Sequence, residues 1–136
     1  MKIESIMTSK VVTVKMDDSL RHTRSLFNKY KFHHLLVVEG RKLVGIVSDR
    51  DLLRELSPFL GKISSQPRDL AIFNKRVHQI MSHKPITVKK EEEAKDSCRL
   101  LLEHNISCLP VIDSQGNVEG IVTWRDIFNV LLGEKK

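Results

Sequence analysis

Two aspartates, Asp51 and Asp126, close two near-copies of one heptapeptide: Gly-Ile-Val-Ser-Asp-Arg-Asp at 45–51 and Gly-Ile-Val-Thr-Trp-Arg-Asp at 120–126. Each follows a β-branched run and precedes a segment with helical apolar spacing, so each falls at the start of a helix. A carboxylate there accepts hydrogen bonds from the uncapped backbone N–H groups. Ser48 and Thr123, three residues earlier, put a hydroxyl at the same strand-to-helix junction and can cap it as well. Such a junction also offers free N–H groups and a positive dipole end to an anion. Arg50 and Arg125 stand immediately before the aspartates, where an exposed arginine pairs with a carboxylate at little gain. His33 and His34 lie next to each other, ahead of Leu35-Leu36-Val37-Val38. Histidine changes charge near neutral pH. Adjacent residues on a strand point to opposite faces, so the pair is ill suited to one metal ion. No Ser-His-Asp or Cys-His constellation, Walker loop or dinucleotide fingerprint accompanies these groups. Binding is the expected chemistry; a catalytic site, a metal site and a required cofactor are not expected.

The elements that position these residues are written twice. Ile6-Met7 recurs as Ile80-Met81, Thr13 as Thr87, and Leu35-Leu36-Val37-Val38-Glu39 as Leu109-Pro110-Val111-Ile112-Asp113, all 74 positions on. Past a turn that is one residue longer in the second copy (Gly40-Arg41-Lys42 against Ser114-Gln115-Gly116-Asn117), Gly45 matches Gly120 at an offset of 75. A single gap located in a turn is what a duplication tolerates. Each copy reads as strand, helix, strand, strand, helix. In the first, Val11–Val14 is a β-branched strand, and Asp17, Asp18 and Ser19 offer a cap. Leu20, Leu26, Phe27 and Tyr30 recur at near-helical spacing. Leu35–Val38 and Leu43–Val47 form a hairpin about Gly40, and Leu52, Leu53 and Leu56 line a closing helix that Pro58 and Gly61 end. In the second, Glu91, Glu92 and Glu93 begin a helix whose apolar stripe is Ala94, Cys98, Leu101 and Leu102. The expected division is a repeat at 1–56, a connector at 57–76 and a repeat at 77–133. Ser57 to Gln79 shows no repeated sequence; Ser64-Ser65-Gln66-Pro67 reads as loop, and Leu70, Ile72 and Phe73 as a short helical turn.

Composition bounds the rest. Hydrophobic residues make up 40% and charged residues 29%, with six glycines, which suits a packed core and argues against disorder. No apolar run approaches the roughly 18–20 residues of a membrane span, and the N-terminal residues lack the apolar stretch of a signal peptide, so a cytoplasmic protein with no membrane contact is expected. Cys98 and Cys108 form no C-x-x-C pair and read as structural thiols. The net charge of +6 favours an anionic partner. The basic residues are scattered and accompanied by one Trp and one Tyr, so a nucleic-acid surface is poorly supported.

Ile-Met-Thr-Ser near the start, Leu-Pro-Val-Ile-Asp at 109–113 and the two heptapeptides resemble the CBS domain family, and the resemblance covers both halves. It implies an α+β fold: two tandem β-α-β-β-α repeats packed as a pseudo-two-fold module, with two modules associating as a disk-like homodimer. It also implies a non-catalytic regulatory role, with adenosine-containing ligands (AMP, ADP, ATP, S-adenosylmethionine or NAD) held in clefts between repeats and their binding relayed to a separate partner protein. By the same resemblance, Asp51 and Asp126 bind the ribose hydroxyls, since a carboxylate can accept from a vicinal diol through both oxygens. Ser48, Thr123, Arg50, Arg125, His33 and His34 then lie near ribose or phosphate. Val12, Thr13 and Phe32, with Ile86, Thr87 and Ile106, are expected to form the adenine slots, although a plain core would contain the same types. Ser107 and Cys108 replace the histidine pair in the second copy, so the two sites are expected to be unequal. Two other readings stand beside this one: a ligand-free interaction scaffold and, more remotely, a nucleic-acid-binding protein.

Overall fold

A computed structural model describes residues 1–56 and 71–133. The described residues build six strands and four helices, in the order β1 (Thr13–Val14), α1 (Leu20–Tyr30), β2 (His34–Glu39), β3 (Lys42–Ser48), α2 (Asp49–Leu56), β4 (Ser82–His83), α3 (Ala94–Glu103), β5 (Cys108–Ile112), β6 (Val118–Thr123) and α4 (Trp124–Leu131). This is a mixed α+β fold, as read from the sequence: the first copy keeps the strand-helix-strand-strand-helix order, and in the second the opening strand is reduced to a single bridge from Val88 to Val111 ahead of α3, β5, β6 and α4. Among the described residues no helix is long and apolar enough to cross a membrane.

Local chemistry accounts for the elements. The Ser19 hydroxyl caps α1 by accepting the His22 N–H at 3.1 Å. Lys31 at φ 58° ends α1 in the left-handed conformation, and Asn105, its counterpart, has φ 52° after α3. Gly40 (φ 64°) and Gly116 (φ 86°) turn the two hairpins in a region that glycine enters without a Cβ clash. In the longer second turn, Asp113 Oδ1 accepts the N–H groups of Gln115 and Asn117 at 2.8 and 2.9 Å. The backbone N–H of Asn117 and that of Gln115 hold the Asp113 carboxyl below the usual range.

The chain folds into two compact bodies that are not co-extensive with the sequence repeats. One comprises Val12–Glu39 and Val44–Lys84, the other Met1–Val11, Gly40–Leu43 and Pro85–Lys136. The first body carries the sheet β1-β2-β3-β4. β1 pairs parallel to β2 with Thr13 opposite Leu36, and β4 pairs antiparallel to β3 with Gly45 opposite His83. Its core gathers Leu20, Leu35, Val37, Val47, Val77 and Met81 with Phe27 and Phe73. The second body repeats this plan: β5 and β6 pair antiparallel, Val88 bridges parallel to Val111, and Thr8 bridges antiparallel to Ile121. Its core gathers Ile3, Ile6, Val88, Leu101, Leu109, Val111 and Val122.

The opening segment of each repeat therefore completes the body that holds the other repeat's sheet. The backbone shows this bond for bond. Val77 donates to Asp18 O, His78 to Met16 O, and Leu20 to Lys75 O, while 74 positions away Ile3 donates to Glu92 O, Glu4 to Lys90 O, and Ala94 to Met1 O. The 3-10 turns Ile3–Ser5 and Val77–Gln79 are matched elements, with Ile3 and Val77 both fully buried. Ser57 to Gln79 read as having no counterpart; Val77–Gln79 has one, equivalent in shape and burial though not in letters.

Three apolar side chains read as core-facing point outward: Tyr30 is 42%, Leu53 55% and Leu102 69% exposed. Leu52 and Leu56 define the buried face of α2 at i,i+4, and Leu53 lies a further 100° or so around the helix. On α3 the inner place belongs to Ser97, as on α1 it belongs to Thr23, both fully buried. Each hydroxyl donates to a backbone carbonyl of the preceding turn, Thr23 to Ser19 O and Ser97 to Ala94 O, which lets a small polar side chain sit inside. Ile72 and Phe73 are buried within the 3-10 turn Ala71–Asn74. Pro58, Gly61, Ser64-Ser65-Gln66-Pro67 and Leu70 lie outside the described residues.

Candidate functional site

At the start of α2 the Ser48 backbone N–H donates to Asp51 Oδ2 at 2.8 Å, and the Asp51 N–H returns a bond to Ser48 Oγ at 3.1 Å. This reciprocal cap ties Asp51 to the junction through one oxygen. The other, Oδ1, faces Arg54 Nη1 at 3.5 Å, the outer limit of a contact, and the Asp51 side chain keeps 18% exposure. In the second body Thr123 N–H donates to Asp126 Oδ2 at 2.8 Å, with its hydroxyl 3.3 Å from the same oxygen. Here Oδ1 is also taken: the Thr8 hydroxyl donates to it at 2.8 Å, and Asp126 is only 4% exposed. The two copies thus share a cap and differ in what lies at the outer oxygen.

The histidine pair divides. His33 is exposed, its Nδ1 2.7 Å from Asp49 Oδ2 in the first turn of α2, so that Asp49 faces any charge His33 carries. Asp49 did not stand out in the sequence; its partner lies 16 residues away. His34 is half-buried at the start of β2. Burial, first, pushes its pKa below the usual histidine range. Asp49 and Asp51 oppose that shift, while His33 and Arg50 add to it. In the second copy Cys108 is buried in place of His34, and burial, with Asp126 adding to it, pushes its thiol well up. Ser107, which stands where the first copy has His33, is exposed.

His34 carries a prediction for stability. The folded chain binds the His34 proton less readily than the unfolded chain, whose imidazole has a pKa of about 6.5. The stability from keeping it neutral is whole above that value and is lost as pH falls through the lower folded pKa. Urea midpoints at pH 7.5 and 5.5 are expected to drop more for the wild type than for His34→Gln. Equal drops would show that His34 is not the group responsible.

Of the other sequence-derived residues, Arg50 and Arg125 are exposed at the helix starts. Phe32 is 39% exposed and its ring stacks nearly parallel on Tyr30 with centroids 5.9 Å apart. Val12 is half-buried against the first core, while Thr13 is exposed. Ile86 and Ile106 are half-buried against the second core, and Thr87 is half-buried. The first copy thus brings an aromatic face, His33, His34, Ser48 and Asp51 into one body, and the second brings Ile106, Ser107, Cys108, Thr123 and Asp126 into the other. Among the described residues no group of three or more His, Cys, Asp or Glu is placed to hold a metal ion.

A duplicated α+β unit whose strand-to-helix junctions each carry a capped carboxylate is a module built of tandem repeats. Residues 3–58 and 77–133 match the CBS domain, and the chain belongs to the CBS domain family. A CBS domain-containing protein of Dictyostelium discoideum is 30% identical over 132 residues, spanning 96% of this chain and 90% of its own. The inosine-5'-monophosphate dehydrogenase of Korarchaeum cryptofilum is 32% identical over 127 residues, which cover 93% of this chain but 24% of that enzyme. Among solved structures, CBSX2 in complex with AMP superposes with a TM-score of 0.82 at 30% identity, covering 97% of this chain and 96% of that one. The CBS domain pair of protein MJ0100, in complex with 5'-methylthioadenosine and S-adenosylmethionine, superposes with a TM-score of 0.78 at 25% identity, covering 96% and 99%.

Proposed function

We propose that this chain is a regulatory module that binds an adenosine-containing ligand through the carboxylates of its two heptapeptides and passes the bound state to a separate protein. The observation that carries the reading is the pair of capped aspartates, each anchored through one oxygen to its helix start. A carboxylate held at such a junction suits a ribose diol, which offers two hydroxyl donors to one acceptor group. The ligands of CBSX2 and of the MJ0100 pair support it, since AMP, 5'-methylthioadenosine and S-adenosylmethionine share adenosine and differ beyond it. Ser48, Thr123, Arg50, Arg125, His33 and His34 then flank ribose and phosphate. Val12, Thr13 and Phe32, or Ile86, Thr87 and Ile106, flank the base. No cofactor is required and no step of catalysis is assigned. The repeats are taken as 1–56 and 77–133, joined by 57–76, in a cytoplasmic homodimer.

The test is thermal. AMP, ADP, ATP, S-adenosylmethionine, 5'-methylthioadenosine and NAD are each added at millimolar concentration. At least one is expected to raise the melting temperature through binding to the folded state alone. At ligand a hundredfold above its Kd, the gain is about 2.7 kcal/mol. No shift with any of them would favour the second reading, a scaffold without ligand. That reading draws on Phe128, Leu131 and Leu132 of the α4 region, 54%, 74% and 73% exposed, apolar side chains of the kind a second copy would cover.

A further inference from the structure

We propose that the chain holds one adenosine-bearing ligand, at Asp51, and that Thr8 closes the matching carboxylate at Asp126. This rests on the adenosine reading above and decides which of its two carboxylates is used.

Both aspartates cap their helices alike, so the cap does not distinguish them. The outer oxygen does. Asp126 Oδ1 accepts the Thr8 hydroxyl at 2.8 Å, and Oδ2 accepts from Thr123, so both oxygens of a residue only 4% exposed are engaged by protein donors. A buried carboxylate needs such donors, and a ribose that took one of them over would first have to reach it. Asp51 Oδ1 receives, among the described residues, only the 3.5 Å approach of Arg54, whose side chain is 75% exposed. An exposed ion pair of that length is readily given up to a ligand hydroxyl.

The segment that brings Thr8 to Asp126 has its counterpart at Ser82, where β4 runs beside β3. Ser82 is exposed and, among the described residues, makes no hydrogen bond to Asp51. The difference in residue type matters here: the γ-methyl of threonine restricts χ1 and holds the hydroxyl in one direction, whereas serine rotates freely. The surroundings agree. Asp51 lies within electrostatic reach of His34, and His33 meets Asp49 two positions ahead of it. Asp126 lies within electrostatic reach of the buried Cys108 thiol. One carboxylate is finished as a piece of the fold and the other keeps an oxygen held only by the long Arg54 contact among the described residues.

Calorimetric titration of the full chain with AMP, S-adenosylmethionine and 5'-methylthioadenosine tests this. A saturating stoichiometry near one per chain is expected. Asp51→Ala is expected to weaken binding about tenfold or more, as loss of hydrogen bonds to a charged group implies. Asp51→Asn, which retains an oxygen for the Ser48 N–H, should melt near the wild type yet lose affinity comparably. Thr8→Val, with its folded state checked by Trp124 fluorescence, should change affinity by less than about twofold, because Thr8 touches the unused carboxylate. Two ligands per wild-type chain, near wild-type binding in Asp51→Ala, or a tenfold loss in Thr8→Val would each overturn the single site. Absence of saturable binding by all three ligands would instead overturn the adenosine reading, and this inference with it.

Discussion

Replacing Ile3 and Ile6 together by alanine is expected to unfold the body that contains Trp124, although both residues lie at the far end of the sequence from it. Ile3 and Ile6 are 0% and 2% exposed and belong to the core of Leu101, Leu109, Val111 and Val122, against which Trp124 packs. Each truncation removes buried methyl groups and leaves a cavity, at about 2–5 kcal/mol per site. The pair therefore approaches the whole of a stability that is about 5–15 kcal/mol for a natural domain. Trp124 is the single tryptophan, so its fluorescence during urea unfolding reports on this body. Leu53→Ala is the control: that side chain is 55% exposed and its loss should stay within about 0.5 kcal/mol. A Trp124 transition left in place by the double variant would show that the opening segment does not belong to the second core. The prediction also bears on dissection. A fragment cut at the sequence repeats would part Ile3 and Ile6 from the core they fill, and likewise Val77 and Met81 from theirs.

The second large effect is expected at Gly45 and Gly120. Neither has a positive φ, so the requirement for glycine comes from space rather than from backbone conformation. A Cβ on Gly120 would lie 2.8 Å from the Thr8 carbonyl oxygen and 3.0 Å from Met7 Sδ. On Gly45 it would lie 2.7 Å from Met81 Sδ and 2.8 Å from the Ser82 carbonyl oxygen. The methionines can bend away, but the carbonyls belong to backbone that crosses the strand at those points. Thr8 and Ile121 exchange two backbone hydrogen bonds of 2.9 Å across the same contact. Overpacking of a fixed neighbour costs about 1–3 kcal/mol, and Gly45→Ala and Gly120→Ala should each fall in the upper part of that range by urea denaturation. A loss below about 0.5 kcal/mol, the range of a neutral surface change, would show that the crossing segment is free to shift.

The local frame around the two aspartates is legible in the sequence. The duplication placed Asp51 with Asp126 and Ser48 with Thr123, and the helix-start reading predicted the carboxylate-to-backbone bond that both pairs make. The inequality of the two copies was visible in His33 and His34 against Ser107 and Cys108. Its main structural expression was not. Thr8 was present in the Ile-Met-Thr-Ser motif, but its partner lies 118 residues away, and no spacing rule connects them. Asp49 escaped notice because its value lies in facing His33 across the β2–α2 end, a proximity created by the hairpin between them.

The sequence by itself determined the repeated order of elements, because apolar periodicity, caps and turn glycines act over a few residues and are readable there. It also determined that no local motif for catalysis or metal binding accompanies the repeats. Only the tertiary structure decided which segments share a core, since burial joins whatever the chain brings together, and here each repeat's opening turn fills the body holding the other repeat's sheet. The same exchange decided the difference between two aspartates that look alike in sequence: it carries Thr8 to Asp126 and leaves Asp51 Oδ1 with only the 3.5 Å Arg54 contact among the described residues. Periodicity marks which side of an element is apolar, but it does not tell Leu53 or Leu102 that no neighbour will cover them.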